Sequence, residues 1–229
     1  MAIDFKSPLR DSEAGKKIAL GTLFSIIPIV FFAPLGYIQL LIERGLDGSD
    51  DGTLPGWSSD EFTGHLFRGL GGFVVMAGYA LLACLPGAIT MLSFGYIYGT
   101  QSALAKGTMQ HGLFGEILVG IVGLLALALW ALIVMLMPIA LACFAESGDI
   151  PGGFRFRDIF EFVTADPGEY FGFAWLLLLI PVVGVLGWML PVPYLRQVIG
   201  YACGFYLWLV VAREVAAYHK ANRGSAYKS

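Results

Sequence analysis

"SIIPIVFFAPLGY", Ser25 to Tyr37, decides how this chain is arranged. It sits inside an apolar run, Ile18 to Leu41, long enough to cross a bilayer, yet Pro28, Pro34 and Gly36 fall near its centre. Proline removes a backbone donor and clashes with the preceding turn. The run is therefore either one kinked helix that crosses once or two half-helices that enter, break at "APLG" and return.

The rest of the chain fixes the setting in which that choice is made. Of 229 residues, 57% are hydrophobic and 14% charged, and the mean hydropathy is +0.74, whereas soluble domains carry about a quarter charged residues. Four more apolar segments, 69–94, 115–145, 170–190 and 198–215, match the roughly 20 helical residues that a hydrocarbon core of about 30 Å requires. They read as helices, because lipid offers backbone polar groups no other partner and no barrel-like alternation is present.

Lysine and arginine in short loops stay on the cytoplasmic side. A single crossing of Ile18 to Leu41 divides the bases six to eight, which carries almost no information. Re-entry puts twelve on the side of the termini and leaves two, Lys106 and Arg196, opposite. The expected fold is thus an all-α, polytopic helical membrane protein with an N-terminal re-entrant hairpin, four transmembrane helices and both termini cytoplasmic. The alternative is a Pro-kinked single span. The whole chain forms one integral membrane domain. Residues 1–17 are an N-terminal interfacial segment, 18–46 the broken apolar segment, 47–68 an acidic loop with an interfacial helix, and 216–229 a tail. The N-terminal region reads as retained, since "PIVFFAPLGYIQ" offers no small-x-small cleavage site.

Two stretches repeat one order of features. The chain from Pro34 to Phe73 and that from Pro138 to Phe173 each pass from an apolar segment through a Gly/Asp turn, a Pro-Gly and an acidic-aromatic stretch into the next span. The acidic-aromatic stretches, "SSDEFTGHLF" and "FRFRDIFEFV", read as short amphipathic helices in the interface. In the second, Phe156, Ile159, Phe160 and Val163 share helical spacing.

Candidate chemistry is sparse. "LDGSDDGTLPGW", Leu46 to Trp57, places Asp47, Ser49, Asp51 and Gly52 as in the first half of a calcium loop, but position twelve, where a bidentate glutamate is needed, is Ser58. Pro55 and Gly56 interrupt the second half, so no metal site is expected. Intramembrane charges are rare; Glu116, five residues after His111, is the exception, and helix-end solvation explains it more simply than proton binding. Arg213 and Glu214 fall where the last span leaves the bilayer and read as snorkelling residues. His65, His111 and His219 are far apart and share no face with a carboxylate in a zinc or hydrolase pattern. Cys84, Cys143 and Cys203 lie singly in apolar runs and read as packing residues. There is no basic excess, so nucleic acid is excluded as a partner. No catalytic residue and no cofactor is expected.

Small residues four apart let membrane helices approach closely. Gly95 with Gly99, Gly168 with Gly172, and Gly200 with Gly204 have that spacing, the last pair well inside a span. The Gly-rich "RGLGGF", Arg68 to Phe73, follows no strand and reads as a close helix approach. The expected packing residues are Pro34, Gly36, Tyr37, Pro55, Trp57, Gly200 and Gly204. Polar residues that would line a pathway are Thr22, Ser25, Gln39 and Glu116.

"KKIALGTLFSIIPI", "GYIQLLIERGLDG", "LPGW", "LFRGL", "PIALACFAESGD" and "AAYHKANRGSAY" occur in this order along nearly the whole chain. Together they resemble the prokaryotic multi-pass membrane proteins grouped as domain of unknown function 4013. That family often has an acid between the Pro and the Trp of its Leu-Pro-x-Trp motif, where this chain has Gly56. The resemblance implies a place in the prokaryotic inner membrane and supplies no activity. The expected function is a non-enzymatic structural, accessory or assembly component of a membrane complex, with the lipid bilayer and other membrane proteins as partners. The alternative is a transporter or permease for a small apolar or lipid-like solute, motivated by the broken first segment.

Overall fold

The computed structural model describes residues 3–104, 113–188 and 192–226, and these hold helices and connecting turns without strands. After a 3-10 turn, Ser7–Arg10, come α1 (Ala14–Ile26), α2 (Phe32–Asp47), α3 (Ser59–Leu104) and α4 (Leu113–Ser147). A second 3-10 turn, Ile150–Phe154, leads to α5 (Phe156–Ala165), α6 (Pro167–Ala174), α7 (Leu176–Trp188) and α8 (Pro193–Ala226).

The apolar run from Ile18 to Leu41 is broken, but upstream of "APLG". The helix stops before Pro28, and the turn Ile27 to Phe31 holds Ile29 at φ +73, a strained backbone for a β-branched side chain. Pro34 then lies in the first turn of α2, where its missing N–H would have had no helical partner. It starts a helix instead of breaking one.

Both ends of the broken run meet the same loop. Lys17, in the first turn of α1, donates from Nζ to the Leu54 carbonyl at 2.7 Å, and the Trp57 indole N–H donates to the Lys17 carbonyl at 3.0 Å. Since that loop directly follows α2, the two helices run out and back. At about 1.5 Å per residue, the 13 residues of α1 and 16 of α2 extend only about 20 and 24 Å.

The two halves share one helix-ending device. α2 stops at Gly48 (φ +75) and α4 at Gly148 (φ +70), the left-handed conformation that closes helices and that glycine adopts without strain. Each glycine is followed by an acidic turn and a proline.

Two expected boundaries change. "SSDEFTGHLF" is no separate interfacial helix, because α3 begins at Ser59 and runs through it. The start is a capping box: Ser58 N–H and Oγ both donate to Glu61 Oε2, and Glu61 N–H donates back to Ser58 Oγ at 3.4 Å. The segment 170–190 is two helices, α6 and α7, divided at Trp175. Among the described residues, three helices are long and apolar enough to cross a membrane, within Ser59–Ala88, Gly120–Ser147 and Gln197–Arg223.

The chain forms two compact units. In the first, Met1–Met76 with Met135–Ser229, α8 packs against α1, α2, α5, α6 and α7, and its face from Leu209 to Ala212 is fully buried. The second, Ala77–Val134, contains the later part of α3 and the earlier part of α4. Within it Leu82, Leu85 and Pro86 face Val122, Leu125 and Leu129 across an apolar groove of about 510 Å³.

Candidate functional site

α2 is seated by a backbone-to-backbone crossing. A β-carbon on Gly36 would fall 1.7 Å from the His65 carbonyl oxygen, and one on Gly69 would fall 1.7 Å from that of Phe32. Glycine at both positions lets α2 and α3 touch. "RGLGGF" is therefore helix surface, as its reading against a phosphate cradle required, with Gly71 against the Phe144 ring and Gly72 against Gln39.

The Leu-Pro-Gly-Trp loop wedges into this frame. Tyr37 is fully buried, donates its hydroxyl to the Pro55 carbonyl at 2.9 Å, and stacks on Trp57 with centroids 4.4 Å apart. Phe24 meets both Trp57 and Phe62 edge-on, and His65 Nε2 bonds the Gly56 carbonyl at 3.0 Å. One aromatic cluster thus ties α1, α2 and α3 to the loop.

The loop's acids are occupied by the protein itself. Asp51 Oδ1 accepts from the Thr53 N–H and hydroxyl, which hold its carboxyl below the usual range. Asp50 accepts from the Gly52 N–H and lies 3.4 Å from the Arg213 guanidinium. Among the described residues, no three His, Cys, Asp or Glu side chains gather as a metal-holding group.

Arg213 does not snorkel. Its side chain is 10% exposed, donates to the Ser7 carbonyl at 2.5 Å and the Gly52 carbonyl at 2.9 Å, and so clasps the N-terminal segment and the loop to α8. Glu214 accepts from the Asp4 N–H at 3.0 Å. Nearby, Asp11 accepts from Lys17 Nζ, Leu54 N–H and Glu13 N–H. The Lys17 hydrogen bond, with the backbone bonds behind it, takes the Asp11 carboxyl down to about 2.

Next to this cluster, across Phe205, an apolar cavity of about 530 Å³ opens at the tip of the α1–α2 turn. Ser25 and Phe31 come from the turn's flanks, Pro34, Leu35 and Ile38 from α2, Ile180 from α7, and Gln197, Gly200, Tyr201, Gly204, Phe205 and Trp208 from α8. The volume is that of a small-molecule site, and the lining is the usual mixture of apolar walls with a few polar groups. Its α8 wall is smooth because Gly200 and Gly204 lie on it. Among the described residues a β-carbon on Gly200 would meet no heavy atom within 4 Å, and one on Gly204 would make ordinary contact with Ile180 at 3.7 Å. These two glycines, expected at a tight helix crossing, instead leave space.

Of the expected pathway residues, Ser25 reaches the cavity. Thr22 and Ser25 both turn their hydroxyls back to their own helix, onto the Ile18 and Gly21 carbonyls. Gln39 is buried between α2 and α3, and among the described residues its amide has no hydrogen-bond partner. Glu116 falls in the first turn of α4, but its side chain, like His111, lies outside the described residues. Pro34 lines the cavity; Pro55, Trp57 and Tyr37 belong to the cluster behind it.

The α4–α5 junction is polar. Glu146 lies 2.6 Å from Arg223 Nη2 and 3.2 Å from Nε2 of His219, whose ring is fully buried and stacked on Phe162. α5 is amphipathic, but its expected apolar face divides: Ile159 and Val163 are buried, while Phe156 and Phe160 face outward.

The fold and the cavity define a class: an all-helical protein with three membrane-capable helices, as in an integral membrane protein, built around a broken N-terminal segment. The chain belongs to the family described as "Protein of unknown function (DUF4013)", whose model matches residues 20–192. No curated protein and no solved structure matches it.

Proposed function

We propose that this is a non-enzymatic integral membrane protein that takes up a small apolar or lipid-like molecule in the cavity at the tip of the α1–α2 hairpin. The single observation carrying this reading is the cavity itself: about 530 Å³, walled by the broken segment and by the glycine face of α8.

The hairpin re-enters the membrane, because neither of its helices, about 20 and 24 Å long, spans a core of about 30 Å. Its two ends are held with Arg213 at one level by the loop from Gly52 to Trp57. Gly204 and Gly200 stand nine and thirteen residues from Arg213 along α8, which is roughly 14 and 20 Å deeper. That depth is the middle of the bilayer, where discontinuous helices form solute sites. The twelve-to-two charge bias supports a cytoplasmic location for both termini and this loop in a prokaryotic inner membrane, with α6 and α7 together as the fourth crossing. Cysteines placed at Ser7 and Ser225 should label from the same face.

Assembly with other membrane proteins has its own support. The outward residues of the unit Ala77–Val134, among them Leu81, Met91 and Leu124, are broadly exposed, which suits lipid or partner helices. Uptake is tested by native mass spectrometry after mild detergent extraction. The wild type should carry one lipid-sized adduct more than Gly200→Leu, which fills the cavity; equal retention would reject the reading.

A further inference from the structure

We propose that the cavity at the α4–α5 junction binds a phospholipid headgroup that carries both a phosphate and a primary ammonium. The cavity is about 230 Å³ and is lined by Cys143, Glu146, Ser147, Arg155, Asp158 and Phe162. It is smaller than the roughly 300–1,000 Å³ of sites that enclose whole ligands, so it suits a headgroup whose tails lie elsewhere.

Its charges are of both signs, and two of them, on Arg155 and Asp158, are not used up within the protein. The side chains of Arg155 and Asp158 make no hydrogen bond or ion pair among the described residues, although they stand three positions apart on adjoining turns. Glu146 is held by Arg223 at 2.6 Å and stands 3.2 Å from Nε2 of His219, whose fully buried ring makes no hydrogen bond at either nitrogen among the described residues. A guanidinium pairs with phosphate through parallel N–H bonds, which assigns the phosphate to Arg155. Carboxylates accept N–H bonds from a primary ammonium, which a quaternary ammonium cannot donate. Asp158, unpaired on the cavity wall, therefore selects an ethanolamine-type amine.

The position fits a lipid. The membrane-capable stretch Gly120–Ser147 ends at Ser147, which lines this cavity, so the cavity opens where a headgroup layer begins. Beside it α5 turns Phe156 and Phe160 outward, 43% and 51% exposed, as aromatic residues do at the level of the glycerol and upper acyl chain. This site is independent of the hairpin cavity and shares no residue with it.

The test measures binding of phosphatidylethanolamine, phosphatidylcholine, phosphatidylglycerol and soluble glycerophosphoethanolamine to the full chain in detergent. Phosphatidylethanolamine should bind about tenfold more tightly than the other three. Arg155→Ala and Asp158→Asn should each erase that preference without changing the melting temperature in lipid-free detergent, because neither side chain holds the fold. Gly200→Leu should keep it. Equal affinity for the three lipids, or a preference that survives both variants, would overturn the assignment. So would soluble headgroup binding as tightly as the lipid, since the ligand would then be a free zwitterion.

Discussion

Gly36 and Gly69 face each other where α2 crosses α3, and a β-carbon on either would fall 1.7 Å from a carbonyl oxygen of the opposite helix. Backbone cannot yield as a flexible side chain can, so the helices must separate to admit even a methyl group. Gly36→Ala and Gly69→Ala should each destabilise by about 2–3 kcal/mol or more, read as a fall in melting temperature in detergent. The double variant should cost less than the sum, because one separation relieves both clashes. Gly200→Ala, with open space around it, should leave stability unchanged or slightly raised.

Tyr37 and Trp57 form the second joint of the hairpin. Tyr37→Phe removes a buried hydroxyl and leaves the Pro55 carbonyl without it, a loss of about 1 kcal/mol. Trp57→Ala removes the stacked ring, its edge contacts with Phe24 and His65, and the bond to Lys17, for about 3–5 kcal/mol. Chemical unfolding monitored by circular dichroism distinguishes the two. Similar small effects would show that the loop is not wedged.

Arg213 clasps three carbonyls that no shorter or single-headed cation can reach together: Ser7, Gly52 and Thr53. Arg213→Met should raise amide exchange in the N-terminal segment and in residues 50–57 while sparing the interior of α8. Arg213→Lys should restore little of the protection, because the forked geometry is lost. Unchanged exchange in both segments would show that the clasp is dispensable.

Asp11 gives the fold a pH dependence of known sign. Its carboxyl lies at about 2 in the folded protein against a reference of 3.8, so the folded state favours the charged form. The stabilisation is fully present above about pH 4 and is lost as pH falls toward about 2, with an effect on the order of 1 to 2 kcal/mol. Melting temperature measured from pH 6 down to pH 2 should fall less steeply in Asp11→Asn than in the wild type. Parallel curves would show that Asp11 contributes nothing to the acid sensitivity of the fold.

The helical, membrane-capable character of the chain was legible because apolar length is a strong signal: "LLALALWALIVMLMPIALACF" leaves little choice of structure. The break before α2 was legible as a break, but its place was not. Pro34 is harmless in a first helical turn, whereas Pro28 stops α1, and composition does not distinguish the two roles. Glycine spacing misled for a similar reason. The tight approaches occur at Gly21, Gly36, Gly45 and Gly69, which meet partners distant in sequence, while the regularly spaced Gly200 and Gly204 face an opening. Arg213 was misplaced because snorkelling depends only on position in a helix, and its true partners lie 160 and 206 residues away.

Trp208 stands on the wall of the hairpin cavity and reports directly on the apolar molecule proposed to occupy it. A variant retaining Trp208 as its sole tryptophan, reconstituted with lipids brominated near mid-chain, should show strong quenching. Adding Gly200→Leu should relieve most of it without lowering the melting temperature. Quenching that is weak, or that is the same with and without the leucine, would contradict an occupied cavity.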